Sequence, residues 1–287
     1  MEYNNCDHYK KIIKRSKLVV IDFSGTLSLG AVLFGKEKPI RQALKNSGFE
    51  ALGIDRSETF WNELVIPTWE EGSTTSKGYA RALAERAGQF LRSGSSEPGL
   101  EAINLAAAHF VNAYFSHSLI DPRWEPSFQF LNNRKDTDTV IATDHYAEAT
   151  GHIIKEIHKM GLKAASLEKA LRQEKFFIAN SADLGCYKTS QEFWNKLNQF
   201  LDQSCYKQIL LIDDFGFNEQ EDFYGGKTRA LKRQQEICSL LERTFRKSPI
   251  TFPFFLEQGN VKGNNISKPY LDLIEKAHLF LKNHLYS

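Results

Sequence analysis

Four short apolar runs, each closing on a polar side chain, give this chain its clearest pattern. Leu18-Val19-Val20-Ile21 ends on Asp22 and continues as Phe23-Ser24-Gly25-Thr26-Leu27. Thr139-Val140-Ile141-Ala142 ends on Thr143 and Asp144, Lys175-Phe176-Phe177-Ile178-Ala179 ends on Asn180, and Gln208-Ile209-Leu210-Leu211-Ile212 ends on Asp213-Asp214. Short runs rich in β-branched and aromatic residues predict buried strands. After the third run the period changes: Phe193, Trp194, Leu197 and Phe200 recur at helical spacing and predict a helix from Thr189. Pro269 to Ala277 opens an amphipathic helix expected to cover the sheet, with His278 and His284 on it at a spacing that makes no metal site.

Between the first and second strands lies a segment of about a hundred residues, too long for a simple connection and mostly helical in pattern. Ser57 to Leu64, Lys77 to Leu91, and Leu100 to Phe115 with Ala106, Ala107 and Ala108 each predict a helix, and Gly94 to Gly99 reads as a loop. The expected architecture is therefore α/β, a mostly parallel open sheet flanked by helices. Residues 1–35 and 121–287 form the core and 36–120 an inserted helical cap.

In an open parallel sheet, ligands bind beyond the carboxyl ends of the strands, which places Asp22, Thr143 and Asp213/Asp214 around one crevice, with Lys188 on a loop between the third run and its helix. Each has an ordinary structural reading: a strand-end Asp or Thr serves as a turn former or cap, and a lone Lys as a solvated charge. Their order along the chain changes the weighting. An Asp-led strand end, a Ser/Thr strand end, a lone Lys and an acidic pair, in that sequence, resemble the haloacid dehalogenase-like (HAD-like) hydrolase superfamily, over roughly residues 17–35 and 125–260.

The resemblance implies a Mg²⁺-dependent phosphatase acting on a small phosphorylated molecule through an aspartyl-phosphate on Asp22. It implies metal ligation by Asp22, Asp213 and the backbone carbonyl of Ser24, with Asp214 either a further ligand or a hydrogen-bonding residue that orients the others, and phosphate contacts from Thr143, Lys188 and Ser24. The chemistry is consistent with the residue types: a carboxylate nucleophile splits one difficult step into two, and a divalent cation offsets the repulsion between carboxylate and phosphate. Asn218 is an outer-shell amide candidate. Ser24 departs from the phosphatase pattern, which carries a second Asp two residues after the nucleophile as general acid and base. That keeps open carbon-phosphorus or carbon-halogen cleavage, and also a catalytically weak protein that binds a phosphorylated ligand. Asp144 and His145 are alternative proton donors.

Composition limits the partners. Of 287 residues, 41% are hydrophobic, sufficient for a sizeable core, and 37 Lys and Arg against 35 Asp and Glu give +2, so no strong field toward nucleic acid or membrane is expected. Lys10 to Arg15 is the most basic stretch, a lead-in to the first strand. No run approaches about 18 apolar residues. Cys6, Cys186, Cys205 and Cys238 make no metal motif, which fits a reduced cytoplasmic setting, and Cys186 reads as an inert loop thiol. Gly225-Gly226-Lys227-Thr228 resembles the tail of a P-loop, but Glu221 stands where its first glycine is required. Trp61, Trp69, Tyr79, Arg81 and Arg86 are the substrate-contact candidates of the inserted segment, each more simply core or solvated. Oligomeric state is not written in the sequence.

Overall fold

The computed structural model describes residues 15–92, 99–169, 174–201, 206–219, 226–256 and 268–286; Cys6, Cys205, Glu221, Gly225, most of the basic lead-in and most of the Gly94 loop lie outside them. Six strands, β1 (Lys17–Ile21), β2 (Thr137–Thr143), β3 (Ala164–Ser166), β4 (Phe176–Asn180), β5 (Gln208–Asp213) and β6 (Ile250–Pro253), form one all-parallel sheet in the order β3-β4-β2-β1-β5-β6. The expected α/β sheet is thus present, with two edge strands that the sequence reading did not contain. β3 is three residues of Ala and Ser, and β6 is bounded by prolines, so neither carries a strand's usual apolar signal.

Helices between β1 and β2 are α1 (Leu29–Phe34), α2 (Glu37–Ser47), α3 (Ser57–Thr59), α4 (Ile66–Ser73), α5 (Tyr79–Arg92) and α6 (Leu100–His117). The later ones are α7 (Glu125–Asn132), α8 (Glu148–Lys159), α9 (Ser181–Leu184), α10 (Gln191–Leu201), α11 (Lys227–Phe245) and α12 (Lys268–Leu285). The helix expected at 57–64 does not stop there: α3 runs through a π turn, Phe60–Val65, into α4. Pro67 supplies no N–H to the preceding turn, and a π turn is one way a helix absorbs that loss.

Strand alternation assigns the two sheet faces. Val19, Ile21, Ile141, Phe176, Ile178, Leu210 and Ile212 pack with α7, α8 and α12. Leu18, Val20, Val140, Phe177, Ile209 and Leu211 pack with α10 and α11. Burial on both faces is what an all-parallel sheet requires and explains why the strands read as continuous apolar runs. A third apolar cluster joins α1, α2, α5 and α6 through Phe34, Leu44, Leu83, Ala107 and Phe110.

One residue from beyond β2 enters that third cluster. Tyr146 stacks on Tyr79 at 4.0 Å and 8°, and a Cβ on Gly72 would overlap its ring. Two residues on, the Glu148 carboxylate accepts from the backbone N–H of Tyr79 at 2.7 Å and Ala80 at 3.3 Å. It therefore satisfies the exposed donors at the start of α5 from a different part of the chain. Glu148→Ala removes this cap and is expected to lower stability by about 1 kcal/mol, with Glu148→Gln losing less. Urea unfolding midpoints for the two variants provide the measurement, and equal midpoints for Ala and wild type would refute the capping role.

Candidate active site

The chain passes from β1 to β2 on one side and later returns to β5 on the other, so strand order reverses beside β1. That is where an open sheet leaves a crevice at the carboxyl ends of its strands. Asp22, the residue after β1, is fixed there by its N–H to Ile212 O at 2.9 Å. The turn that follows is closed by Ser28 N–H to Phe23 O at 2.8 Å and by Gly25 N–H to Ser28 O at 3.0 Å. Gly25 has φ +83°, and a Cβ on it would overlap an oxygen of Asp214. Only glycine suits this position.

The loop after β5 is tied to the loop after β1. Thr26 Oγ1 accepts from Asp214 N–H at 3.1 Å, and Asn218 Nδ2 donates to Gly25 O and to Phe254 O, both at 2.8 Å, while its Oδ1 accepts from Leu256 N–H. Asn218 is thus a cross-brace of three backbone segments rather than an amide turned to the site. Asp213 Oδ1 accepts from Phe215 N–H at 2.6 Å, and Asp214 accepts from Gly216 at 3.0 Å and Asn218 at 2.9 Å. These bonds hold Phe215 at φ 52°, a left-handed conformation that a bulky residue adopts only where its surroundings impose it.

Lys188 joins the two strand ends. Its ammonium lies 2.5 Å from Asp22 Oδ1 and 3.0 Å from Asp213 Oδ2, with all three residues buried. Burial pulls the Lys188 pKa down, but Asp213 and Asp22 outweigh it and hold the ammonium above its ordinary value. Burial pushes the Asp22 carboxyl well above the carboxylate range against the pull of Lys188, with Asp213 and Asp214 adding repulsion. Asp214 is raised to about 8, first by burial and then by Glu219 and Asp213. Asp22 Oδ2 has no partner among the described residues. One oxygen each from Asp22, Asp213 and Asp214 lies within 4.8 Å of the others, a hard-oxygen cluster suited to a metal ion.

Around this triad a cavity of about 20 Å³ is lined by Ser24, Thr143, Lys188, Glu219 and Arg233 among others. The structure thus gathers every residue singled out for the site: Asp22, Ser24, Thr143, Lys188, Asp213 and Asp214. Thr143 is not the cap of the helix near Ala147, because α8 starts from Ala147 with no side-chain cap. His145 faces elsewhere. Its Nδ1 accepts from Tyr146 N–H at 2.8 Å and its Nε2 bonds Tyr114 Oη at 2.7 Å, so both ring nitrogens are occupied. Asp144 accepts from Lys188 N–H at 2.8 Å and from Arg233 at 2.9 Å. Cys186 is buried and its thiol is pushed up by that burial, in keeping with an inert role. Trp61 and Tyr79 belong to the third apolar cluster, Arg81 pairs with Glu85, and Arg86 donates to Glu63 O.

Two site residues were not foreseen. Glu219 follows Asp214 in the same loop and is raised to about 7, mainly by burial with Arg233 opposing. A further acid so close to the acidic pair was a usable signal. Arg233 lies on α11, far along the chain from every motif, and only the fold brings it in.

No family model matches the chain, and no curated protein matches it. Solved structures do show a likeness. A 2-haloacid dehalogenase from Pseudomonas syringae pv. Tomato DC3000 is 16% identical, over 76% of this chain and 83% of that one, with a TM-score of 0.46. A protein described as a HAD-like family hydrolase from Porphyromonas gingivalis is 12% identical over 88% and 95%, with a TM-score of 0.42. A HAD-hydrolase from Bacillus subtilis bound to magnesium is 15% identical over 70% and 79%, with a TM-score of 0.38. Likeness of this degree carries nothing about activity, so function rests on the site itself. Among the described residues no helix is long and apolar enough to cross a membrane.

Two measurements test the geometry. Gly25→Ala combines a left-handed backbone with the overlap on Asp214 and is expected to cost about 1–3 kcal/mol, read as a lowered denaturant midpoint. His145 is held neutral, its pKa pushed down to about 3 by burial and then by His152. An unfolded histidine titrates near 6.5, so between these values the unfolded chain binds the extra proton. The His145 contribution is complete above about pH 6.5 and is lost as pH falls, by up to about 1.4 kcal/mol per pH unit. The stability gap between wild type and His145→Gln should therefore shrink from pH 7 to pH 4.5 in denaturant titrations; a constant gap would show that the imidazole titrates in the fold as it does in the unfolded chain.

Proposed function

We propose that this chain is a HAD-like hydrolase that removes a phosphoryl group from a small phosphorylated molecule, with Asp22 as nucleophile and Mg²⁺ as its metal. The observation that carries this reading is the buried Asp22 carboxyl group, with one oxygen held by Lys188 and the other without a partner among the described residues, beside two more carboxyls. Ionised together, the three carboxyls would leave two negative charges against the one Lys188 ammonium in a buried pocket, a charge that a divalent cation would balance. Asp22, Asp213 and Asp214 would hold the ion, with Ser24 contributing its carbonyl. When bound, Mg²⁺ supplies charge neutralisation of the phosphoryl oxygens and turns the raised carboxyls of the cluster into ionised ligands.

The residues then divide the work. An Asp22 oxygen forms a bond to phosphorus as the bond from phosphorus to the leaving oxygen breaks, and the electron pair stays on that oxygen. Lys188 orients Asp22 by its ion pair and, with the Thr143 hydroxyl, faces the transferring oxygens from the cavity wall. In the second step a water oxygen bonds to phosphorus and the bond to Asp22 breaks. Phosphate departs, the water's proton passes to it or to solvent, and the Asp22 carboxylate is restored. The helices between β1 and β2 act as a cap over this crevice, excluding water. Ser24 favours a second reading, a slow or inactive protein that binds a phosphorylated ligand, because a hydroxyl is a poor general acid and base.

Three outcomes follow for the full-length protein. Millimolar-scale Mg²⁺ is expected to raise the thermal midpoint of wild type and to raise that of Asp213→Asn less; identical melting curves with and without the ion would remove the metal from the reading. Asp22→Asn is expected to abolish phosphate release while retaining the native circular dichroism spectrum, and retained turnover would mean another nucleophile. Ser24→Asp restores a proton donor and is expected to raise hydrolysis of a generic phosphomonoester, by up to about 10². Tight binding of a phosphorylated compound with no turnover by wild type or Ser24→Asp would favour the binding protein.

A further inference from the structure

Beside the inner cavity lies a second one of about 480 Å³, and the two share Asp144 and Arg233. At about 20 Å³ the inner cavity has room for little more than one water or ion, so whatever is attached to a reacting phosphoryl group projects into the larger space. Two aromatic residues stand on the wall of that space: Trp69 of α4, braced edge-on against Tyr146 at 5.3 Å and 89°, and Tyr187, whose hydroxyl is hydrogen-bonded to Ser73 Oγ at 2.9 Å. The leaving oxygen then lies where the cavities meet, and a group that protonates it must reach that place.

Five carboxyl groups line the inner cavity, those of Asp22, Asp144, Asp213, Asp214 and Glu219. Asp22 is the nucleophile of the reading above, Asp213 and Asp214 belong to the oxygen cluster, and Asp144 is bound to Lys188 N–H and to the Arg233 guanidinium. His145, beside Asp144 in the chain, has both ring nitrogens engaged. Glu219 is left, and the backbone brings it to the position that Ser24 vacates chemically. Asn218 Nδ2 donates to Gly25 O at 2.8 Å, so a single hydrogen bond joins the residue before Glu219 to the residue after Ser24. Asn218 is fixed further by its N–H to Asp214 and by its Oδ1, which accepts from Leu256 N–H. Arg233 borders both cavities and its charge acts on Glu219, which sets this carboxyl beside their junction.

We propose that Glu219 does the work of the missing acid: it donates a proton to the leaving oxygen in the first step and accepts one from water in the second. This rests on the phosphoryl-transfer reading above. As the bond from phosphorus to the leaving oxygen breaks, the electron pair stays on that oxygen, which takes the proton of the Glu219 carboxyl and departs as a neutral alcohol. Glu219 is left as a carboxylate. In the second step a water oxygen bonds to phosphorus, the water's proton passes to Glu219, and the bond to Asp22 breaks with its electron pair returning to the Asp22 oxygen. Phosphate departs, and both carboxyl groups are back in their starting forms. The surroundings support each form of Glu219, since burial favours the protonated carboxyl and Arg233 the carboxylate. With a donor in place the leaving oxygen need not be acidic, so the larger cavity serves phosphate esters of ordinary alcohols.

The experiment compares glycerol phosphate, whose leaving oxygen needs a proton, with phenyl phosphate, whose leaving phenol ionises at about 10 and departs without one. Each is measured with Mg²⁺ in wild type, Glu219→Gln, Ser24→Asp and the double variant. Glutamine keeps the size of Glu219 and removes only the ionisable group. Wild type is expected to hydrolyse both compounds. In kcat/KM, which reports the first step, Glu219→Gln should lose about a hundredfold or more on glycerol phosphate and about tenfold or less on phenyl phosphate. Phenol should then appear in a burst followed by slower turnover, because the second step lacks its base. The rise in thermal midpoint caused by Mg²⁺ should keep its wild-type size, and Ser24→Asp should raise glycerol phosphate hydrolysis by a larger factor in Glu219→Gln than in wild type. Equal losses on the two compounds, or no loss, overturn Glu219 as the proton carrier. A Mg²⁺ effect that vanishes with the substitution overturns it too, by making Glu219 a holder of the ion. Turnover seen only after Ser24→Asp removes Glu219 from the mechanism and keeps Asp22 as nucleophile, whereas failure of wild type and Ser24→Asp on both compounds overturns the phosphatase reading as well.

Discussion

The buried ammonium of Lys188 between Asp22 and Asp213 is the interaction on which this site depends. β1 and β5 are adjacent parallel strands, so their ends bring two carboxylates together in a place where burial already disfavours charge. A carboxylate left alone there would be protonated or would destabilise the fold. One buried cation bridging both strand ends makes the arrangement tolerable and fixes the orientation of Asp22. One cation beside three carboxyl groups leaves a hard-oxygen cluster that could hold a divalent ion.

Such a cluster requires a rigid frame, and the backbone supplies it by binding itself across the crevice. Asn218 braces three segments, Thr26 accepts from Asp214 N–H, and Gly25 leaves space that Asp214 fills. The loop after β2 extends the frame outward. Tyr146 enters the third apolar cluster, Glu148 caps α5, and His145 meets Tyr114 on α6, so three nearby residues anchor the helices above the crevice. The segment after β4 adds Ser181 Oγ, at the start of α9, to Ser73 O at 2.6 Å, and Tyr187 Oη to Ser73 Oγ at 2.9 Å. Polar contacts of this kind are directional and buried, so they favour one placement of the helices over a sliding apolar contact.

Legibility in the sequence followed burial. β1, β2, β4 and β5 were readable because central strands covered on both faces must be apolar throughout. β3 and β6 were not, because an edge strand of two alanines and a serine, or one flanked by prolines, draws its stability from its neighbour rather than its own side chains. The site residues Asp22, Thr143, Lys188, Asp213 and Asp214 were legible through their position at strand ends and their order. Arg233 was not, since a helix residue facing the crevice has no local mark distinguishing it from one facing water. Trp69 was named beside Trp61 and Tyr79 without a means of separating them; only the packing shows that Tyr79 is sealed in a core while Trp69 stands on a cavity wall.

That division bears on what Ser24 means. Absence of an acid at one position is ambiguous when only the motif is considered, since an inactive protein and an enzyme with a reactive substrate would both tolerate it. The surrounding structure weighs on the choice. Phe215 in a left-handed backbone, a glycine with no space for a side chain and a lysine buried between acids are each costly features, and all three gather at this crevice. The neighbouring cavity adds two braced aromatic rings and an arginine shared with the inner site.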